Sequence, residues 1–200
     1  PYSDTATRKI VGAEALLRLK GPDGTMLLPE QFLSLAEYLG IIVPLGEHIL
    51  TRAARQCRAI NGIVGFEDFT VTVNMSTKQT QNNIVHRTRE ILRREGVNPG
   101  NIVISFTEGS ALDDMEKIVR ICKEFRRHGI GTALDDFGSG RSSFINIRSL
   151  PVDIIKVSSK YLDDIEDQFT GPVVRLVPEL GRHTGKRGCT HGVEKEGGLA

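Results

Sequence analysis

Short apolar runs that alternate with amphipathic helical patterns restrict what this chain can fold into more than any other feature. The runs are Lys9 to Leu19, Phe69 to Met75, Ile102 to Thr107, Ile130 to Asp135 and Val152 to Val157. Between them, apolar residues recur at helical spacing. Met115, Ile118, Val119, Cys122 and Phe125 share a face of one helix that Gly129 stops, and Val85, Thr88, Ile91 and Leu92 share a face of another that Gly96 stops. Pro29 is placed to open a helix that continues to Gly40, and a further helix is expected from Leu45 to Ile60. Strands alternating with helices predict an α/β fold with a parallel sheet covered on its faces. With 200 residues and no repeat, low-complexity tract or linker, a single domain over residues 1–200 is the economical reading.

Composition removes several classes of partner. A net charge of +1 gives no electrostatic case for a nucleic-acid polymer or an anionic membrane surface. Cys57, Cys122 and Cys189 are far apart and form no CxxC pair, so reduced thiols in a cytoplasmic chain are expected. No apolar run approaches the roughly 20 residues that span a bilayer, and no signal peptide is visible. The abrupt start, PYSDTATRK, reads as a piece of a longer protein.

Polar groups gather where a buried sheet would not choose them for packing. Glu14, Asn74, Glu108, the adjacent Asp135 and Asp136, and Lys156 lie at or near the C-terminal ends of successive strands. In a β/α barrel, the active site lies at that end of the strands. Each alone is unremarkable at a strand–loop junction, but burying several unpaired charges is costly. Carboxylate and amide oxygens suit hard cations such as Mg²⁺ or Mn²⁺. Adjacent aspartates can each serve one of two neighbouring metals, a pairing that activates water in phosphodiester hydrolysis. Lys156 would add positive charge near a phosphate, and Arg18 could clamp a second one with its planar fork. The DFG triplet lacks the other parts of a kinase, and GSGRSS is followed by no GK[ST] of a phosphate-binding loop.

EALLR (Glu14 to Arg18), PEQFLSLAEYLGII, VNMS, FTE, DDFGSGRSS, LPVDIIKV and HGVE stand in the order and spacing of the EAL domain, which the chain resembles from about Ile10 to Glu194. The resemblance implies a modified (β/α)₈ barrel and the hydrolysis of the bacterial second messenger cyclic di-GMP. By that resemblance Glu14, Asn74, Asp135 and Asp136 are metal positions, with Mg²⁺ or Mn²⁺ as the cofactor of an active enzyme. Lys156 matches the lysine near the attacking water, Arg18 a contact to the dinucleotide phosphate, and Glu108 a glutamate that holds the loop after DDFG. The family also implies a homodimer formed through the region after DDFGSG, where Arg141 stands at a common tyrosine position. Upstream sensory or GGDEF-type domains are further expected companions.

Departures from the family pattern point the other way. Ser105 replaces a glutamate that is a direct metal ligand, and His191 replaces a glutamate of the metal and water environment. The segment GKRGCTHG puts Lys186, Arg187 and Gly188 where an apolar strand is expected, and the family's first strand is almost wholly missing before PYSD. The barrel is therefore expected to be incomplete at both chain ends. Two functions follow: a degenerate, non-catalytic EAL domain that senses cyclic di-GMP or a related nucleotide or engages a protein, or an active metal-dependent phosphodiesterase that opens cyclic di-GMP to the linear dinucleotide.

Overall fold

The computed structural model describes residues 1–80, 83–139, 149–161 and 170–190, and in it each expected apolar run contains a strand. The strands are β1 (Tyr2–Ser3), β2 (Ile10–Ala15), β3 (Leu19–Lys20), β4 (Met26–Leu27), β5 (Thr70–Asn74), β6 (Ile102–Thr107), β7 (Gly131–Phe137), β8 (Ile154–Val157) and β9 (Arg187–Thr190). The helices are α1 (Pro29–Tyr38), α2 (Ile42–Asn61), α3 (Ile84–Glu95), α4 (Glu108–Asp113), α5 (Met115–Arg127) and α6 (Thr170–His183). Seven strands form one curled sheet in the order β1-β2-β5-β6-β7-β8-β9, and β3 pairs with β4 apart from it. Within the seven-stranded sheet every ladder from β2 to β9 is parallel, and β1 alone runs antiparallel on β2, while the separate β3–β4 pair is antiparallel. This is the parallel sheet of an incomplete β/α barrel.

Burial explains the apolar runs. Residues Ile102 to Phe106 of β6 are all buried, as are Thr132 to Asp135 of β7, because the sheet is covered on both faces. α3 turns Ile84, Val85, Thr88, Ile91 and Leu92 inward, and α5 turns Ile118, Ile121, Cys122 and Phe125 inward. Each of the valine, leucine, isoleucine and phenylalanine side chains among them contributes about 1.5–3 kcal/mol relative to exposure. Gly96, at φ +68°, ends α3 in the left-handed conformation that a side chain would resist. Asp114 caps α5 by accepting the Lys117 N–H at 3.3 Å.

Three boundaries differ from the sequence expectation. The run from Lys9 to Leu19 is not one strand: β2 stops at Ala15, and Leu19–Lys20 turns back onto Met26–Leu27. The cause is Asp23, whose carboxylate accepts from the Thr25 N–H (3.0 Å) and hydroxyl (2.7 Å) and fixes the turn. The C-terminal segment, whose charged residues stand where an apolar strand is expected, does form a strand. β9 pairs in register with β8, Lys156 beside Cys189 and Val157 beside Thr190. Arg187 and Gly188 are exposed there, so an edge position accepts residues that a central strand would not. At the other rim, Tyr2–Ser3 supplies a short first strand. His191 and Arg141 lie outside the described residues, as do the rest of the segment after DDFGS and the expected pairing surface.

Candidate functional site

Parallel strands deliver their C-terminal ends to one rim, and alternation along each strand turns every second side chain into the barrel. β2 brings Glu14, β5 Asn74, β6 Ser105, β7 Asp135 and β8 Lys156. Lys156 is the centre of the arrangement, with only 1% of its surface exposed. Its ammonium donates to Glu14 Oε2 at 3.0 Å and to Asp135 Oδ2 at 2.5 Å, joining carboxylates 121 positions apart in the chain. Asn74 Nδ2 donates to Glu14 Oε1 at 2.7 Å, and Ser105 Oγ donates to Asp135 Oδ2 at 3.4 Å. The second Asp135 oxygen accepts the backbone N–H of Asp136 at 2.8 Å. An ammonium buried this deeply is tolerated because two carboxylates surround it.

Two tyrosines join the site without having been foreseen. Tyr2 donates its hydroxyl to Glu14 Oε2 at 2.9 Å, and its ring lies 6.0 Å from the Lys156 ammonium. Burial, and then the Glu14 carboxylate beside it, push its phenol far above the usual range. Tyr161 bonds to the Gly138 carbonyl just beyond the twin aspartates, at 2.8 Å. A two-residue strand has no periodicity to read, and a side chain on a single helical turn aimed at a backbone carbonyl leaves no pattern. Cys189 on β9 also lies near this charge cluster, and burial raises its thiol above the ordinary value.

The remaining candidates stand around the bridge. Asp136 is half-buried in left-handed backbone at φ +56° and takes no part in the three-way contact. Glu108 is 2% exposed and accepts the Gly138 N–H at 3.2 Å, where a residue holding the loop would be. Arg18 is exposed, and its guanidinium bonds to the Leu17 carbonyl at 2.7 Å, outside the bridge. A hard divalent ion would draw on Glu14, Asn74, Asp135 and Asp136. Among the described residues no three carboxylate, imidazole or thiol side chains converge as a metal group. The hydroxyl of Ser105 adds no charge, and Lys156 already supplies the cation to two of the carboxylates.

Residues 1–200 match the model of the EAL domain family. The chain belongs to the EAL domain family. It is 33% identical over 190 residues to the bifunctional diguanylate cyclase/cyclic di-GMP phosphodiesterase MucR of Pseudomonas aeruginosa, covering 94% of this chain and 27% of that protein. It is 29% identical over 198 residues to the probable cyclic di-GMP phosphodiesterase PdeI of Escherichia coli, covering 98% of this chain and 25% of that one. The EAL fold also superposes on the PaMucR phosphodiesterase in complex with cyclic di-GMP, with a TM-score of 0.86 at 32% identity, over 94% of this chain and 77% of that one. For the cyclic di-GMP-bound FimX EAL domain of Pseudomonas aeruginosa the TM-score is 0.81 at 17% identity, over 93% and 74%, a likeness of fold alone. This EAL chain spans about a quarter of the length of these two curated relatives. Among the described residues, no helix is long and apolar enough to cross a membrane.

Proposed function

We propose that this EAL domain is a degenerate, non-catalytic receptor that takes cyclic di-GMP, or a related nucleotide, at the mouth of its barrel. The carrying observation is the Lys156 bridge, in which an ammonium satisfies Glu14 and Asp135 while Ser105 stands where a third carboxylate would be needed. The rim keeps groups that suit a phosphate diester: the exposed Arg18 and the polar turn after β7. The cyclic di-GMP complex of PaMucR, at 32% identity, supports the ligand class. A cytoplasmic place in a longer signalling protein, with sensory or GGDEF-type companions and pairing into a homodimer, belongs to the same reading. A domain that binds no nucleotide would act instead as a protein-interaction module.

Calorimetric titration with cyclic di-GMP in EDTA, then in Mg²⁺ or Mn²⁺ with chromatography of the products, tests this. Binding in EDTA and intact ligand after incubation with metal are expected. Metal-dependent turnover that Glu14→Ala abolishes would overturn it. That result would establish the second reading, an active phosphodiesterase, which the gathering of Glu14, Asn74, Asp135 and Lys156 at one rim favours. Ser105→Glu sharpens the comparison. A carboxylate placed at this 1%-exposed position beside Asp135 needs a cation. The variant's thermal midpoint should climb with added Mn²⁺, because an ion that binds only the folded state stabilises it. The unaltered domain should respond far less, and equal responses would count against the role given to Ser105.

A further inference from the structure

The turn after β7 is gripped from two sides. On one side, Glu108, the first residue of α4, accepts the Gly138 N–H at 3.2 Å. On the other, Tyr161, which ends the single helical turn Ser159–Tyr161 after β8, donates its hydroxyl to the Gly138 carbonyl at 2.8 Å. The tyrosine ring also lies close against the glycine: a β-carbon at Gly138 would stand 2.3 Å from ring atom Cε2. Next to this pair, Ser158 N–H bonds to the Phe137 carbonyl at 3.0 Å, and Ser139 N–H closes the turn on the Asp136 carbonyl at 3.2 Å. Both polar groups of one glycine are thus taken by side chains from two different elements.

The backbone between them needs such a grip. Asp136 and Gly138 are left-handed, at φ +56° and +95°, two such residues within three positions. That conformation is costly for a residue with a β-carbon and persists only where the surroundings impose it. Asp136 is the residue that the turn carries to the mouth of the barrel, directly after the Asp135 of the lysine bridge.

We infer that Tyr161 is a positioning residue: its hydroxyl, opposed by Glu108, holds Gly138 and so sets where Asp136 and the twin-aspartate turn stand at the ligand mouth. This rests on the proposal that cyclic di-GMP binds there. The ring supplies packing that phenylalanine would keep. The hydroxyl supplies the hydrogen bond that phenylalanine would lose. Without it, the Gly138 peptide can rotate its carbonyl toward water and take the turn with it.

Tyr161→Phe separates the two contributions, read by thermal unfolding, by amide hydrogen exchange over Asp136 to Ser139, and by calorimetry with cyclic di-GMP. The expected result is a nearly unchanged midpoint, exchange at the Gly138 amide faster by roughly tenfold, and ligand affinity weaker by roughly 3- to 10-fold, the worth of one hydrogen bond. Tyr161→Leu, which loses ring and hydroxyl together, should lower the midpoint as well. Unchanged Gly138 exchange in Tyr161→Phe would overturn the inference, and so would a loss of affinity that merely follows a global loss of stability. If the unaltered domain binds no cyclic di-GMP, the receptor reading fails on its own, and the exchange measurement alone decides the role of Tyr161.

Discussion

Lys156 touches three strands at once through Glu14 on β2, Asp135 on β7 and the ring of Tyr2 on β1. Replacing it by methionine keeps most of the volume and removes the charge, which leaves two carboxylates facing each other without a cation. Breaking a buried bridge in this way costs about 3–5 kcal/mol. The partner side chains here are 16% and 11% exposed, which places Lys156→Met near the lower end of that range. Denaturant unfolding should show the loss as a lower midpoint at unchanged slope. At this scale much of the site was legible. Glu14, Asn74, Asp135 and Lys156 betray themselves because a buried strand has no packing reason to end on a polar side chain. The use they make of one another was not legible, since no spacing tells that an ammonium will sit between two carboxylates. Tyr2 and Tyr161 were missed for the physical reason that hydroxyl-to-acceptor contacts from short or irregular segments impose no period on the sequence.

Elements pack through a second set of charges, on the outside of the barrel. α2 and α3 lie side by side and are laced by Arg87 to Glu47 at 2.7 Å and Arg55 to Glu95 at 2.7 Å, while Arg94, paired with its own neighbour Glu95 at 3.2 Å, reaches the Thr51 hydroxyl on α2 at 3.3 Å. The Arg55 hydrogen bond, ahead of that from Arg94, holds the Glu95 carboxyl below its ordinary range. A carboxyl depressed on folding adds stability that is fully present above its unfolded pKa, about 4.3, and is lost as pH falls through the lower folded value. Glu95→Gln should therefore flatten the acid limb of a stability–pH curve below about pH 4.5 and leave the neutral region little changed in slope. An acid limb that keeps its full steepness in the variant would deny Glu95 this part. Helical periodicity foretold α3 and α5 well, because one apolar face must meet the sheet. It gave no warning of α4, which is six residues long and starts from the Thr107 cap, nor of the β3–β4 hairpin that Asp23 organises.

Across the whole molecule, cohesion is graded from the middle of the sheet to its rims. β6 lies between β5 and β7 with five of its six residues buried, whereas β1 pairs through two residues and β9 through four at the edges. Protection from exchange follows such differences, since units with few buried contacts open at lower free energy. Amide exchange should be slowest in β5, β6 and β7 and fastest in β1 and β9. A strand at either rim exchanging as slowly as β6 would mean that the sheet is tied more evenly than its ladders indicate. The barrel class was legible because repeated strand–helix alternation admits few architectures. The rims were not, because edge strands need backbone partners more than apolar side chains, and GKRGCT satisfies the first without the second.

The two charge systems also differ in how dissolved ions reach them. The arginines that lace α2 to α3 are themselves 42–61% exposed, within range of a counter-ion cloud whose thickness at physiological ionic strength is about 8 Å. The ammonium inside the barrel has a side chain only 2% exposed, between carboxylates 16% and 11% exposed, and a buried pair is screened far less than one at the surface. Brine therefore slackens the outer lacing well before the inner knot.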